Sequence, residues 1–251
     1  MLRSRVIPCL LIHDGGLVKT EKFRPGKYVG DPLNAVKIFN EKQVDELMLL
    51  DIDATVNRRG PDFARLRNLA VESRMPLCYG GGVTGADEAA RIISLGFEKV
   101  SVSAAALKRP DLIKEMARAV GTQSVVVTLD VRKNAMLPGY TIFTHNGRTK
   151  ERVDLIDFVR QAAELGAGEI VVNSIDRDGT MTGYDLDLAR QVRQAVGLPM
   201  SMIGGAGSIN HIEALIEAVG VVGAGAGSMF VFNGPYRAVL ISYRKPPALV
   251  S

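Results

Sequence analysis

A single (β/α)8 TIM barrel of the α/β class, built from two similar half-barrels at about 1–120 and 121–251, is the fold the sequence predicts, on three observations. Strand-like runs alternate with amphipathic helical patterns from end to end. The strand-like runs are short, β-branched and almost continuously apolar, as in a parallel sheet covered on both faces. Motifs of the first half return in the second at a fixed offset. No Pro/Ser-rich linker or charge block divides the 251 residues, so one domain is expected to hold them all.

Taken in order, the strands fall at 5–12, 46–51, 77–80, 99–103, 124–130, 169–174, 200–204 and 222–226. Helices are expected after each, at 32–41, 62–72, 86–95, 110–119, 153–165, 186–195, 209–219 and 235–242. Eight such pairs within this length match the barrel better than an open doubly wound sheet, which more often has fewer strands and one dominant Gly-rich turn. Pro76-Leu77-Cys78-Tyr79-Gly80-Gly81-Gly82 corresponds to Pro199-Met200-Ser201-Met202-Ile203-Gly204-Gly205 at an offset of 123, and Glu46 with Asp51 and Asp53 corresponds to Glu169 with Ser174 and Asp176 at the same offset. Two long connections interrupt the pattern: 15–31 reads as a mobile lid over the barrel mouth, and 132–150, with Pro138-Gly139 and Asn146-Gly147, as a β-hairpin inserted after the fifth strand.

Composition narrows the function. With 47% hydrophobic and 23% charged residues the chain is an ordinary core-former. The net charge of +4 is scattered except for Lys19, Lys22, Arg24 and Lys27, which argues for a small anionic ligand near one loop and against nucleic acid. Cys9 and Cys78 lie in apolar runs and read as buried thiols of a reducing cytosol; with His13, His145 and His211 isolated, no metal site is expected. The N-terminus lacks the pattern of a signal peptide, and the apolar, glycine-interrupted run 218–232 falls short of the ~20 residues of a membrane span, so a cytoplasmic protein without membrane contact is expected.

The chemistry centres on Asp130, which ends the fifth strand where parallel sheets place their active sites. Aligning the first strand on the fifth puts Leu11 in the corresponding place, so one half offers a proton-transfer group and the other a hydrocarbon. His13 and Asp14 are displaced along the strand and read as no substitutes. Gly-rich turns after strands seven and eight, 204–207 and 223–228, form a phosphate cradle containing Gly205, Gly207, Gly227 and Ser228, with Asp178 and Gly179 closing it. The first half repeats it weakly: Gly82 and Ser103 are its candidates, but Ala104 has no hydroxyl to donate.

Cys9-Leu10, Asp14-Gly15 with Lys19, Leu50-Asp51-Ile52, Gly80-Gly81-Gly82, Val100-Ser101, Asp130, Gly166-Ala167-Gly168-Glu169, Ser174-Ile175-Asp176-Arg177-Asp178-Gly179, Gly183-Tyr184-Asp185 and Gly204-Gly205-Ala206-Gly207 together resemble the cyclase subunit of imidazole glycerol phosphate synthase over essentially the whole chain. The resemblance implies a (β/α)8 barrel paired with a glutaminase subunit that docks on the N-terminal barrel face. Its ammonia cleaves and cyclises a bis-phosphorylated ribulosyl aminoimidazole carboxamide nucleotide without a cofactor. Of the two aspartates that act as acid and base in that family, the second matches Asp130 and the first matches Leu11; the Asn-Thr pair after strand four matches Ser103-Ala104, and Lys19 falls in the phosphate-binding set. Arg5, Glu46, Lys99 and Glu169 match the residues that gate the ammonia entrance. The tail at 232–246 is similar to cyclase-like paralogues of surface-polysaccharide clusters, which implies a sugar amidotransferase as a second partner and an acetamidino sugar as product. Three functions are therefore expected in turn: ammonia transfer redirected to amidine formation, authentic imidazole glycerol phosphate synthesis for histidine, and non-catalytic activation of the glutaminase.

Overall fold

The computed structural model describes residues 3–136 and 138–249. Eight parallel strands close on one another in the order β1 (Arg5–His13), β4 (Leu47–Asp51), β5 (Leu77–Gly80), β6 (Lys99–Val102), β7 (Val125–Lys133), β10 (Glu169–Ser174), β11 (Met200–Ile203) and β12 (Gly223–Ala226), the last pairing back onto the first through Arg5 and Gly223. The chain is a (β/α)8 barrel.

The crossover helices are α1 (Pro32–Glu41), α2 (Phe63–Glu72), α3 (Ala86–Ser94), α4 (Ala104–Lys108) with α5 (Asp111–Val120), α6 (Leu155–Glu164), α7 (Leu186–Ala195) and α8 (Ile209–Val219). Their starts are written in the sequence: Asp31, Asp62, Asp154, Asp185 and Ser208 each accept a hydrogen bond from a backbone N–H of the first turn. That cap moves the sixth helix to Leu155, two residues later than its apolar pattern suggests. Outward residues of the strands and the inner faces of the helices make one large apolar layer, and a second, smaller cluster of Ile7, Cys9, Met48, Cys78, Val126, Val171 and Ile203 fills the barrel itself. Both cysteines are buried there as free thiols.

Strand alternation sorts the inward side chains into levels. Arg5, Glu46, Lys99 and Glu169 form a charged level at the N-terminal end, and Leu11, Leu50, Asp130 and Asn173 lie at the C-terminal mouth, with the apolar cluster between them. Ser101 and Thr128 share a hydrogen bond of 2.6 Å inside that wall.

Three expectations need correction. The connection at 15–31 contains a hairpin, β2 (Gly16–Lys19) and β3 (Lys27–Gly30), with a register shift between Leu17 and Val18, and its first strand pairs antiparallel with the end of β1, Leu11 opposite Val18. Leu17, Val18 and Val29 are buried while Tyr28 is exposed, so the two strands anchor to the barrel what length, glycines and charge made look like a mobile lid. The second correction is at 235–242, where no helix forms. A single turn, α9 (Ser228–Val231), leads into a small hairpin of β13 (Phe232–Asn233) and β14 (Ala238–Val239), turned by Gly234 and Arg237 at positive φ. The tail then runs down the wall, where the Tyr243 hydroxyl donates to Val6 O at 3.1 Å and Lys245 pairs with Asp45 at 2.6 Å. The third correction concerns His13, described below. The hairpin expected after the fifth strand is present as β7, β8 (Tyr140–Thr144) and β9 (Thr149–Asp154), with its turn at His145, Asn146 and Gly147, all at positive φ.

Candidate active site at the barrel mouth

A cavity of about 540 Å3 opens at the C-terminal end of the strands. Its floor has two chemically opposite sides. Register pairs Asp130 with Asn173 on neighbouring strands β7 and β10, and pairs Leu11 with Leu50 on β1 and β4. Asn173 stands 123 residues after Leu50, so the acid–amide pair and the leucine pair occupy equivalent places in the two halves. Sequence reasoning did not single out Asn173, although the same internal repeat that matches Glu46 to Glu169 predicts its position.

Asn173 Nδ2 donates to Asp130 Oδ1 at 2.9 Å. Burial pushes the Asp130 carboxyl up to about 7, against the pull of that hydrogen bond, and the nearby Asp178 adds to the rise. A carboxyl titrating near neutrality can take and return a proton at working pH, which an ordinary aspartate cannot. The other end of the amide, Asn173 Oδ1, is buried without a hydrogen-bond partner in the protein. Such an acceptor left unpaired costs about 1–3 kcal/mol, which an N–H of a bound molecule relieves.

Six of the nine residues that the sequence nominates for phosphate line this one cavity: Lys19, Asp178, Gly179, Gly205, Gly227 and Ser228. Gly205 has φ +105, and a Cβ there would lie 2.0 Å from Gly183 O, so only glycine brings the backbone this close. The Ser228 hydroxyl is buried, 3% exposed, and has no partner in the protein. Lys19 is less available than its place in a cationic loop suggests. Its ammonium is buried against Asp178 Oδ1 at 2.6 Å, and Thr20 Oγ1 donates to the other carboxylate oxygen at 2.6 Å. Asp178 thus pins the β2–β3 hairpin to the loop after β10 rather than simply closing a cradle. Gly82, Ser103 and Gly207 do not line the cavity, and Gly207 N donates to His211 Nδ1 at 3.2 Å.

His13 is not displaced from the chemistry. It lies two residues beyond Leu11, hence on the same side of β1, and lines the cavity together with Asp14 and Asp53. Its Nδ1 bonds Asp53 Oδ1 at 2.7 Å, and that hydrogen bond, opposed by a small burial effect and helped by the Asp53 charge, raises its pKa. Asp53 is held below the usual carboxylate range: burial works against this, but the Asp14 backbone N–H, His13 and Arg59 together outweigh it. Isolated in sequence, His13 has donor atoms of Asp14 and Asp53 within 4.8 Å of its own, the one such grouping among the described residues. The signal that finds it is strand alternation applied one step further along β1.

At the opposite end of the barrel all four expected residues meet. Lys99 Nζ bonds Glu46 at 2.8 and 3.0 Å and Glu169 at 2.8 Å; Arg5 bonds Glu169 at 2.8 Å and also Glu46. Glu46 and Glu169 are each 3% exposed. Burial raises Glu46, whereas Glu169, equally buried, is held low by Lys99 and Arg5 and by the Ser201 hydroxyl. Burial opposes the cationic forms of Arg5 and Lys99, yet the two carboxylates outweigh it and both pKa values rise. The ring is a closed network of complementary charges, with each ion desolvated and each paired.

A model of the family described as "Histidine biosynthesis protein" matches residues 5–236. The chain is 54% identical over 246 residues to a protein of Vibrio vulnificus named "Putative imidazole glycerol phosphate synthase subunit hisF3", covering 98% of this chain and 95% of that one. It is 48% identical over 243 residues to a Pseudomonas aeruginosa protein named "Putative imidazole glycerol phosphate synthase subunit hisF2", covering 97% and 96%. Against the "Imidazole glycerol phosphate synthase subunit HisF" of Thermobifida fusca it is 40% identical over 236 residues, 92% of each chain. No helix among the described residues is long and apolar enough to cross a membrane.

Proposed function

The chain belongs to the histidine biosynthesis protein family, within its imidazole glycerol phosphate synthase cyclase-subunit group, and from that premise we propose that it is an ammonia-using barrel subunit redirected to amidine formation on a surface-polysaccharide sugar. In this reading a glutaminase docks on the N-terminal face, ammonia enters through the ring of Arg5, Glu46, Lys99 and Glu169, and a sugar amidotransferase takes up the nitrogen at the far end. The single observation that carries it is the mouth: one acid, Asp130, faces the leucine pair where the ring-closing chemistry of the family employs a second acid, above a charged entrance that is intact.

The residues at the mouth have definite tasks in this scheme. Asn173 Oδ1 accepts an N–H of arriving ammonia, and Asp130, titrating near 7, holds or returns a proton beside it. The glycine turns at Gly205 and Gly227, with Ser228, seat a phosphorylated ligand. Leu11 and Leu50 supply no proton and keep their side of the floor dry.

A second reading, an authentic imidazole glycerol phosphate synthase subunit, is favoured by His13. Fixed by Asp53 and facing the same cavity as Leu11, it is the group that could stand in for the missing acid. A third, a glutaminase activator without chemistry of its own, leaves the raised Asp130 carboxyl without a purpose. Reconstitution with the glutaminase, following amide nitrogen from glutamine into product, separates them. Loss of product in Asp130→Asn with ammonia release intact supports the proposal and excludes the activator. Rescue of a histidine auxotroph by the wild-type chain overturns the proposal in favour of the second reading.

A further inference from the structure

The strands hold the residues of the charged ring unequally. Arg5, Lys99 and Glu169 each stand in a ladder, opposite Gly223, Cys78 and Val126. Glu46 precedes β4, and the β1–β4 ladder begins only at Cys9 opposite Met48. Continued three residues down to the ring, that register sets Val6 against Asp45, below the last ladder pair. These two are the sequence neighbours of Arg5 and Glu46.

At that level the tail closes the seam. The Tyr243 hydroxyl accepts from Asp45 N at 3.5 Å and donates to Val6 O at 3.1 Å, so one side chain bridges both backbones. The Asp45 carboxylate, 7% exposed, completes the stitch by accepting from Val6 N at 3.0 Å and from Lys245 Nζ at 2.6 Å. Burial and the Asp45 charge push the Tyr243 phenol up, so it stays protonated as a donor. Tyr243 is itself fixed by packing on Phe230, ring centroids 5.2 Å apart, and by Ser242 N donating to Phe230 O at 2.8 Å. Lys245 and Asp45 also line a cavity of about 950 Å3 outside the ring, together with Arg5, Lys99 and Glu169.

We propose that Tyr243 and Lys245 are positioning residues of the entrance: acting through Asp45 and Val6, they hold Arg5 and Glu46 together, so that nitrogen released by the glutaminase passes inward instead of escaping between β1 and β4. This rests on the reading of the ring as an ammonia entrance given above. Neither side chain belongs to the ring. Loss of either loosens the side of the ring whose carboxylate, Glu46, lies outside the ladders.

The test is the complex reconstituted with the glutaminase and supplied with glutamine labelled in its amide nitrogen, counting labelled product per glutamate formed. Tyr243→Phe, which keeps the ring packed on Phe230, and Lys245→Met should each lower that ratio by about 3–10-fold, the worth of one hydrogen bond, with glutamate formation unchanged. Lys245→Arg should restore it. With saturating ammonia supplied from solution in place of glutamine, all three variants should make product at the wild-type rate, a split that general loss of structure would not produce. Wild-type ratios in both Tyr243→Phe and Lys245→Met, or equal losses with glutamine and with ammonia, overturn the proposal and leave the entrance reading standing. No labelled product from the wild-type complex removes the entrance reading and the proposal with it.

Discussion

At the mouth of this barrel Asp130 beside Asn173 and Leu11 beside Leu50 are the same two positions of a repeated half, filled once with an acid and an amide and once with two hydrocarbons. The strand register around them is equivalent, so the scaffold tolerates either pair. What differs is the strand floor: the second half places an acid and an amide there, with glycine turns and Ser228 beside them, whereas the first half places two leucines there and its titratable groups, His13, Asp14 and Asp53, line the cavity away from the Asp130–Asn173 position. At the other end of the strands the halves match only at Glu46 and Glu169, whose two carboxylates are balanced by Arg5 and Lys99, both from the first half.

Four substitutions test that contrast. Asp130→Asn should have the largest effect, lowering amidated product by about 10²–10⁴ in rate, the usual worth of a general acid–base group. The same variant should be more stable than wild type at pH 8. Folding raises this carboxyl from 3.8 to about 7, so its contribution to stability is fully present below pH 3.8 and is lost as pH rises through 7. Asparagine removes that loss, a gain between about 1 and 4 kcal/mol once solvent screening is allowed for, measurable as a flatter dependence of Tm on pH.

Glu169→Ala comes next. It leaves Arg5 and Lys99 short of a buried partner and should cost about 3–5 kcal/mol in denaturant unfolding, with loss of coupling between glutamine hydrolysis and product. A smaller cost, about 1–3 kcal/mol at neutral pH, is expected of Leu11→Asp, which desolvates a second carboxyl against Leu50. Acidification should relieve it. The smallest effect is that of Asn173→Leu, which copies the first-half pair into the second. Removing the amide that holds the carboxyl down should move the product-formation pH profile upward by about one unit.

Much of this was legible in the chain. The barrel follows from strand-like runs that need cover on both faces and from caps such as Asp62 and Asp185, because these are local properties that packing here reinforces. The charged ring was legible because its four residues begin strands whose register a parallel barrel fixes. Three features were not. The β2–β3 hairpin interleaves its hydrophobic residues with four cations, and burial of Lys19 against Asp178, 159 residues away, has no local sign. The tail at 235–242 carries a helical pattern that loses to Gly234 and to the long-range contacts of Tyr243 and Lys245. His13 is on the same face as Leu11 by simple alternation, but its partner Asp53 lies 40 residues away, and only the fold joins them.

On the proposed function, Asp130 with Leu11 in place of a second acid on the strand floor leaves this barrel unable to close an imidazole ring. The direct test supplies saturating ammonia and the bis-phosphorylated aminoimidazole nucleotide to the purified chain, and compares the ring-closing rate with that of an ordinary cyclase subunit that has both acids. A rate lower by about 10² or more is predicted. An equal rate contradicts the account and makes His13, held by Asp53, the second acid.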